Sequence, residues 1–202
     1  LFAYAKQQGW VDSNPAQGLR MVRVKPKAED AREPWPQEAK DAFREAFPVG
    51  TRERLLFELM LGSAQRIGDT LRLRWNALRD GGIEVRQSKT GKLLWVPLTR
   101  QLAEALDATP KRGLTIVAHE DGSPVSYNTA QKWMRAARVK IGAERWDQHA
   151  LRYSAVDELS EAGCTDEQIM AVTGHSAVEM VRLYAGRARQ RRHAAQVKEL
   201  RE

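Results

Sequence analysis

The stretch Ile83-Glu84-Val85-Arg86-Gln87-Ser88-Lys89-Thr90-Gly91-Lys92-Leu93-Leu94-Trp95-Val96-Pro97-Leu98 is where the hydrophobic pattern of the chain changes its period. In both halves of this stretch, apolar residues alternate with polar or amphipathic neighbours, which is the period of a half-buried β-strand. Thr90-Gly91 between the two halves is a turn dipeptide. The stretch therefore predicts a small antiparallel β-hairpin with Lys89 at its tip.

Outside this hairpin, apolar residues recur at helical spacing. Two helices, each with an apolar stripe, are expected after Pro36, and a further amphipathic helix over residues 127–141. From His149 the pattern is helical almost to the end, with breaks predicted at three glycines: Gly163, Gly174 and Gly186. The predicted fold class is α+β and mainly α-helical, with one small antiparallel β-sheet and no internal repeat.

Two of the later helices begin with the capping-box pattern. In Thr165-x-x-Gln168 and Ser176-x-x-Glu179, the side chains are expected to bond the free backbone N–H groups of the first helical turn.

The composition favours a polyanionic partner. The 202 residues carry 33 Lys and Arg against 26 Asp and Glu, a formal net charge of +7. This balance favours nucleic acid as the partner, ahead of the ribosome and an acidic membrane surface. The single cysteine, Cys164, excludes an internal disulfide and a cysteine-rich zinc site, and it favours a reducing compartment. No apolar run approaches the ~20 residues that cross a bilayer, so a soluble protein is expected. The abrupt start at Leu1 suggests a piece of a longer protein.

The N-terminal part has a different character from the rest. Residues 1–8 look like the end of a helix stopped at Gly9, and Asn14-Pro15 is a turn signal. An acid-free basic stretch follows, whose side chains are candidates for contacts with the phosphates of a nucleic acid: Arg20, Arg23, Lys25 and Lys27. A solvated surface strand is the alternative interpretation, and composition does not decide between the two.

Several polar side chains stand where chemistry is possible, although each also has an ordinary structural explanation. His149-x-x-Arg152 places two anion-binding groups on one helix face, but the pair also fits a solvated surface. His175 follows Gly174 just before a helix N-terminus, which attracts anions. Nine residues later comes Tyr184, for which the residues alone favour a core tyrosine with its hydroxyl at the surface.

Two cationic side chains lie earlier in the chain. Arg66 stands among small residues that allow a ligand to approach, with a salt bridge to Asp69 as its alternative. Lys89 and Lys92 lie in the hairpin turn. A flexible turn can carry a cation into the groove of a bound partner, and the alternative is that a lysine there only increases solubility.

Taken together and in this order, these segments resemble the catalytic domain of the tyrosine recombinase, or phage integrase, family over about residues 33–190. The resembling segments are Gly62 to Asp69 followed by Leu73-Arg74-Trp75, Ser88 to Lys92 leading to Val96-Pro97-Leu98, His149-Ala150-Leu151-Arg152, and Thr173-Gly174-His175-Ser176 through Tyr184. The chain departs from the usual family pattern at Ala150, Tyr153 and Asp69, none of which removes a catalytic group. Residues 1–32 look like the end of the family's core-binding domain and a basic linker, and residues 33–202 like the catalytic domain with a tail helix from about 187.

The resemblance implies a site-specific DNA recombinase that integrates or excises a mobile element through a 3′-phosphotyrosyl intermediate. Tyr184 would be the nucleophile and His149 its acid/base partner, while Lys89 would protonate the leaving 5′-oxygen. Arg66, Arg152 and His175 would hold the scissile phosphate, and Lys92 is a candidate DNA contact. Guanidinium groups keep their charge and offer paired donors, as a phosphorane requires. No metal or other cofactor is implied.

The implied partner is double-stranded DNA, with possible accessory DNA-bending proteins and no membrane. The protein is expected to be a homotetramer on DNA and a monomer in solution. The expected location is the cytoplasm of a bacterium or phage-infected cell, at the nucleoid. In the recombinases that the chain resembles, such a tail docks on a neighbouring protomer, and a solvated or disordered end is the alternative here. Two alternatives stay open: a type IB topoisomerase-like enzyme, and a DNA-binding module without cleavage activity.

Overall fold

The computed structural model describes residues 1–19 and 33–201, and the chain divides into two compact units, Leu1–Ala31 and Arg32–Glu202. In the first unit, helix α1 (Phe2–Gln7) ends as predicted before Gly9, which has a φ of 71°. The rings of Tyr4 and Trp10 meet edge to face, with centroids 5.8 Å apart. The basic stretch with Arg20, Arg23, Lys25 and Lys27 lies outside the described residues, so its contact with DNA stays a prediction.

The second unit is mainly helical, as the sequence predicts. Its helices are α2 (Gln37–Ala46), α3 (Arg52–Ser63), the single turn α4 (Ile67–Thr70), α5 (Arg100–Asp107), α6 (Tyr127–Lys140), α7 (Ala150–Glu161), α8 (Asp166–Thr173) and α9 (Val178–Glu199). A 3₁₀ turn covers Trp75–Ala77. No described helix has the length and apolar character that a membrane span requires.

The predicted hairpin is present and belongs to a three-stranded antiparallel sheet. Strand β2 (Gly82–Arg86) pairs with β3 (Leu93–Pro97), with Ile83 opposite Val96. The two-residue strand β1 (Leu78–Arg79), which sequence periodicity did not reveal, pairs with the outer edge of β2. One face of the hairpin is buried on the helices through Ile83, Val85 and Val96.

Helix α3 is the centre of the core and packs against α5, α6 and α7. Apolar side chains surround it on nearly every side, so a helix without a polar face is stable here. Its one carboxylate within the apolar run, Glu58, is only 1% exposed. Glu58 accepts hydrogen bonds from Arg44 Nε (2.9 Å) and Arg54 Nε (2.8 Å), and this pairing makes the buried charge tolerable.

Two predictions about the last helices are wrong. The Thr165–Gln168 capping box is present, but Ser176 does not cap α9, because that helix begins one residue later with Ala177 as its N-cap. The break predicted at Gly186 is absent: α9 runs without interruption through both Tyr184 and the tail predicted to begin at about 187. A helical glycine costs only about 1 kcal/mol, and packing on both sides of it offsets that cost, since Ala185 and Ala188 are buried.

Candidate active site

The first part of the candidate site is the loop after α3. This helix ends at Ala64, which adopts the left-handed conformation (φ 54°, ψ 25°) that non-glycine residues rarely occupy. Arg66 follows as the N-cap of α4, with a side chain 31% exposed. Its Nη1 lies 4.0 Å from Asp69 Oδ2 and has no hydrogen-bond partner among the described residues. The ion pair considered as an alternative role for Arg66 is therefore long, and Arg72 is the closer partner of Asp69 at 2.6 Å.

Arg152 lies beside this loop and is buried on α7, only 2% exposed. Its Nη1 donates a hydrogen bond to the carbonyl of Ala64, while Nη2 is buried without a hydrogen-bond partner among the described residues. Burial, and then the nearby charge of Arg66, lower the pKa of Arg152 to about 10. The guanidinium thus remains charged at neutral pH and has a donor free for an anion.

His175 lies at the turn between α8 and α9. Gly174 ends α8 in the left-handed conformation (φ 72°), and a Cβ there would come within 2.5 Å of Gln87 Nε2. Nδ1 of His175 is 2.8 Å from Thr173 Oγ1. Burial, and then the charges of Arg152, Arg66, His149 and Lys92, lower the pKa of His175 to about 4.

The hairpin turn is fixed to both of these loops by side chains that immediately precede Lys89. Ser88 donates from its backbone N (2.9 Å) and its Oγ (2.8 Å) to Asp69 Oδ1. Gln87, which is fully buried, donates from Nε2 to Gln65 Oε1 (2.7 Å) and to the carbonyl of Thr173 (2.9 Å). The turn is therefore bonded next to Arg66 on one side and next to His175 on the other.

The two lysines of the turn differ in their surroundings. Lys92 Nζ lies 3.4 Å from the carbonyl of His175, so this predicted DNA contact also borders the site. Lys89 is exposed and has no hydrogen bond or ion pair within the described part of the chain.

Tyr184 lies in the second turn of α9, half-buried, and not near a helix end, which the break predicted at Gly186 would have placed two residues later. Its ring stacks on Tyr153 of α7 with centroids 4.0 Å apart and an interplanar angle of 20°. His149, the N-cap of α7, packs edge to face against the Tyr153 ring, with the two ring centroids 5.1 Å apart. Helix α7 thus brings His149, Arg152 and the ring that supports Tyr184 together, one turn apart.

The structure places five of the six predicted catalytic side chains around α7, the loop after α3 and the turn between α8 and α9. The sixth, Lys89, is exposed on the hairpin turn, which is bonded to both of these loops. The five are Arg66, His149, Arg152, His175 and Tyr184. Sequence reasoning missed the amides of Gln65 and Gln87 and the hydroxyl of Thr173, because their partners are distant in sequence or unmarked by a motif. In the described residues, no cluster of three or more His, Cys, Asp or Glu side chains is arranged to hold a metal ion.

Comparison with known proteins gives one consistent result. The integrase of Escherichia phage HK022 is 28% identical over 151 residues, which are 70% of this chain and 42% of that protein. The tyrosine recombinase XerC of Rhodospirillum centenum is 30% identical over 152 residues, 71% of this chain and 45% of that protein. The chain thus spans less than half the length of these two relatives.

Solved structures agree. A lambda integrase dimer bound to a COC′ core site superposes with a TM-score of 0.69 at 26% identity, over 91% of this chain and 55% of that one. A lambda integrase tetramer bound to a Holliday junction gives 0.68 at the same identity and coverage. The model of the phage integrase family matches residues 37–191. Because this match spans about three quarters of the chain and the fold agrees, the chain belongs to the phage integrase family of tyrosine recombinases.

Proposed function

We propose that the protein of which this chain forms the catalytic part is a site-specific DNA recombinase that cleaves and rejoins strands through a 3′-phosphotyrosyl intermediate. The observation that carries this proposal is the pair of adjacent guanidinium groups with unpaired donors. Arg66 Nη1 and Arg152 Nη2 each have no hydrogen-bond partner in the described residues, and the charge of Arg66 acts on the pKa of Arg152. Two such groups are suited to one phosphate, whose oxygens accept several charge-assisted hydrogen bonds.

In the proposed reaction, the Tyr184 hydroxyl oxygen attacks the scissile phosphorus and the bond from phosphorus to the 5′-oxygen breaks. His149 accepts the phenolic proton, and Lys89 gives a proton to the departing 5′-oxygen. Arg66 and Arg152 stabilise the additional negative charge of the pentavalent phosphorane, where fixed donors usually contribute most. The phosphotyrosyl bond keeps the energy of the broken bond, so a second strand can be joined by the reverse reaction.

The assembly and the cellular setting are also proposals. Lambda integrase has been solved as a dimer on a core site and as a tetramer on a Holliday junction, which supports a tetramer on DNA. We propose with it that the protein is a monomer in solution. Accessory DNA-bending proteins would help to bring two sites together. Since the substrate would be chromosomal or phage DNA, we place the activity in the bacterial cytoplasm, at the nucleoid. Integration or excision of a mobile element fits the phage and plasmid integrases among the relatives.

Covalent trapping tests the proposal. The full-length protein is incubated with a nicked suicide duplex of its attachment site, and the products are separated by denaturing electrophoresis. We expect a protein–DNA adduct that Tyr184→Phe abolishes while binding persists, because only the attacking oxygen is removed. Tyr127→Phe is the matched control, since the Tyr127 hydroxyl bonds only Gln131 on an exposed helix face in the described contacts.

The same experiment separates the other candidate functions. An adduct in the Tyr184→Phe protein would exclude Tyr184 as the nucleophile, and binding without any adduct would leave a DNA-binding module. Relaxation of supercoiled DNA without a requirement for two sites would indicate a topoisomerase-like enzyme.

A further inference from the structure

Thr173 and His175 form a hydrogen-bonded chain at the end of α8 that the proposed mechanism does not yet use. Thr173 Oγ1 lies 2.7 Å from the carbonyl of Ile169 and 2.8 Å from His175 Nδ1. The threonine is completely buried and His175 is 9% exposed. Both bonds are therefore shielded from exchange with water.

The directions of the two hydrogen bonds follow from their donors and acceptors. A carbonyl oxygen only accepts, so Thr173 must donate its single hydroxyl proton to Ile169. Its oxygen then has only lone pairs to offer the imidazole, and His175 Nδ1 must carry a proton and donate it. In a neutral imidazole only one nitrogen is protonated, so Nε2 of the neutral ring holds a lone pair and is an acceptor.

This state of the ring does not suit a phosphate oxygen. Phosphodiester oxygens carry no proton at neutral pH and only accept hydrogen bonds, so neutral His175 with a bare Nε2 would repel one. The charged and titratable groups around His175 are Arg152 and His149 of α7, Arg66 before α4 and Lys92 of the hairpin turn. All of them disfavour a second proton on the ring until an anion offsets their charge.

We propose that Thr173 is a positioning residue that holds His175 protonated at Nδ1, so that His175 binds an anion between Arg66 and Arg152 only by taking up a proton from solvent at Nε2. The proton enters as the anion binds, and it converts the imidazole into an imidazolium whose two N–H groups are both used. Nδ1–H bonds Thr173 and Nε2–H bonds the anion. That the anion is the scissile phosphate rests on the proposed function, whereas the tautomer and the proton uptake do not.

The first test is nitrogen NMR of the 202-residue chain with ¹⁵N-labelled histidine. The His175 signals are identified among the four histidines by their loss in His175→Gln. At pH 7 without anion we expect an N–H signal from Nδ1 and the signal of a bare nitrogen from Nε2. A proton on Nε2 with a bare Nδ1 would overturn the proposal.

The second test measures binding of inorganic sulfate, which keeps its charge over the range used. Between pH 5 and 7, we expect the dissociation constant to rise by up to tenfold per pH unit beyond the change seen in His175→Gln, because one extra proton is bound with each anion. That control retains His149 and the other charged side chains around the site. A dependence on pH equal to that of His175→Gln would refute proton uptake at His175.

The role of Thr173 is tested with two conservative variants. Thr173→Val has nearly the same shape but no acceptor, so His175 can place its proton on Nε2 and bind sulfate while neutral, and the additional pH dependence should disappear. Thr173→Ser keeps the hydroxyl and should restore it. An unchanged pH dependence in a folded Thr173→Val protein would show that the threonine does not set the tautomer. If these results hold but no DNA adduct forms, the proposed recombinase activity fails while this inference stands.

Discussion

Replacing the buried amide of Gln87 tests whether the hairpin turn is held to the candidate site by side-chain hydrogen bonds. Gln87→Met keeps a side chain of similar length and removes three hydrogen bonds: those to Gln65 Oε1 and the Thr173 carbonyl, and the one that Thr90 Oγ1 donates to Gln87 Oε1 at 2.9 Å. Each such bond contributes about 1 kcal/mol net, and each acceptor left buried without a donor costs about 1–3 kcal/mol. The two acceptors left without a donor and the lost Thr90 bond together predict that the free energy of unfolding falls by about 3–7 kcal/mol.

Urea unfolding followed by tryptophan fluorescence measures this change, and Gln131→Met is the matched control. Gln131 donates one hydrogen bond to the Tyr127 hydroxyl on an exposed helix face, so its loss should change the free energy of unfolding by about 0.5 kcal/mol or less. A loss below about 1 kcal/mol in Gln87→Met would mean that the amide network does not hold the turn. Cleavage by the full-length variant should also fall more than the folded fraction does, because Lys89 is two residues from the lost bonds.

Three other predictions concern the guanidinium groups, the histidine and the tail. Arg66→Lys and Arg152→Lys should each slow single-turnover cleavage of a suicide duplex by about 10²–10³-fold, since an ammonium keeps the charge but not the paired donors; near-normal rates in both would remove them from the phosphate site. The pKa of His175 is lowered to about 4 in the folded chain, against about 6.5 in the unfolded chain, so acidification from pH 7.5 to 4.5 protonates the unfolded state first. Stability should therefore fall by on the order of 2 kcal/mol more in the parent chain than in His175→Gln, and equal losses in urea titrations at the two pH values would contradict the shift. Truncation after His193 removes the end of the tail but keeps the bonds of Arg189 to Asp166 and of Arg192 to the Ser160 carbonyl. We expect the truncated protein to keep its stability and its cleavage of a single duplex but to lose recombination of two sites. Normal recombination of two sites would show that the tail has no part in assembly.

The elements that local patterns encode were predicted from the sequence. The hairpin followed from a change of hydrophobic period around Thr90-Gly91, and the Thr165–Gln168 capping box is formed as its spacing indicates. Strand β1 has only two residues, too few for a period to be recognised. The predicted break at Gly186 is wrong because the flexibility of glycine is a local property. The burial of Ala185 and Ala188, which stabilises the helix on both sides of it, is a property of the tertiary structure.

In the candidate site too, local sequence features could be predicted and tertiary contacts could not. The residue types of Arg66, Arg152, His175 and Tyr184 and their order mark the site in the sequence, and the structure gathers them. The side chains that orient them are not marked, since Gln65 and Gln87 are 22 residues apart and Gln87 reaches a carbonyl 86 residues away. No periodicity or motif reveals which buried amide finds which partner, because that depends on how the loops meet.

The uninterrupted course of α9 connects the tyrosine rigidly to the last residues of the helix. Arg182 and Arg189 bond Asp166, and Arg192 bonds the Ser160 carbonyl, so α9 is fastened to the rest of the fold on both sides of Tyr184. At 1.5 Å per residue, Glu199 lies about 22 Å from Tyr184 along the helix axis, and only the last ~10 Å of the helix extends past Arg192. A partner that pulls on this end therefore moves the tyrosine only if it strains these bonds. Because a displacement of about 1 Å changes the rate of a reaction that depends on alignment by up to about 100-fold, the three arginine bonds keep the tyrosine in line.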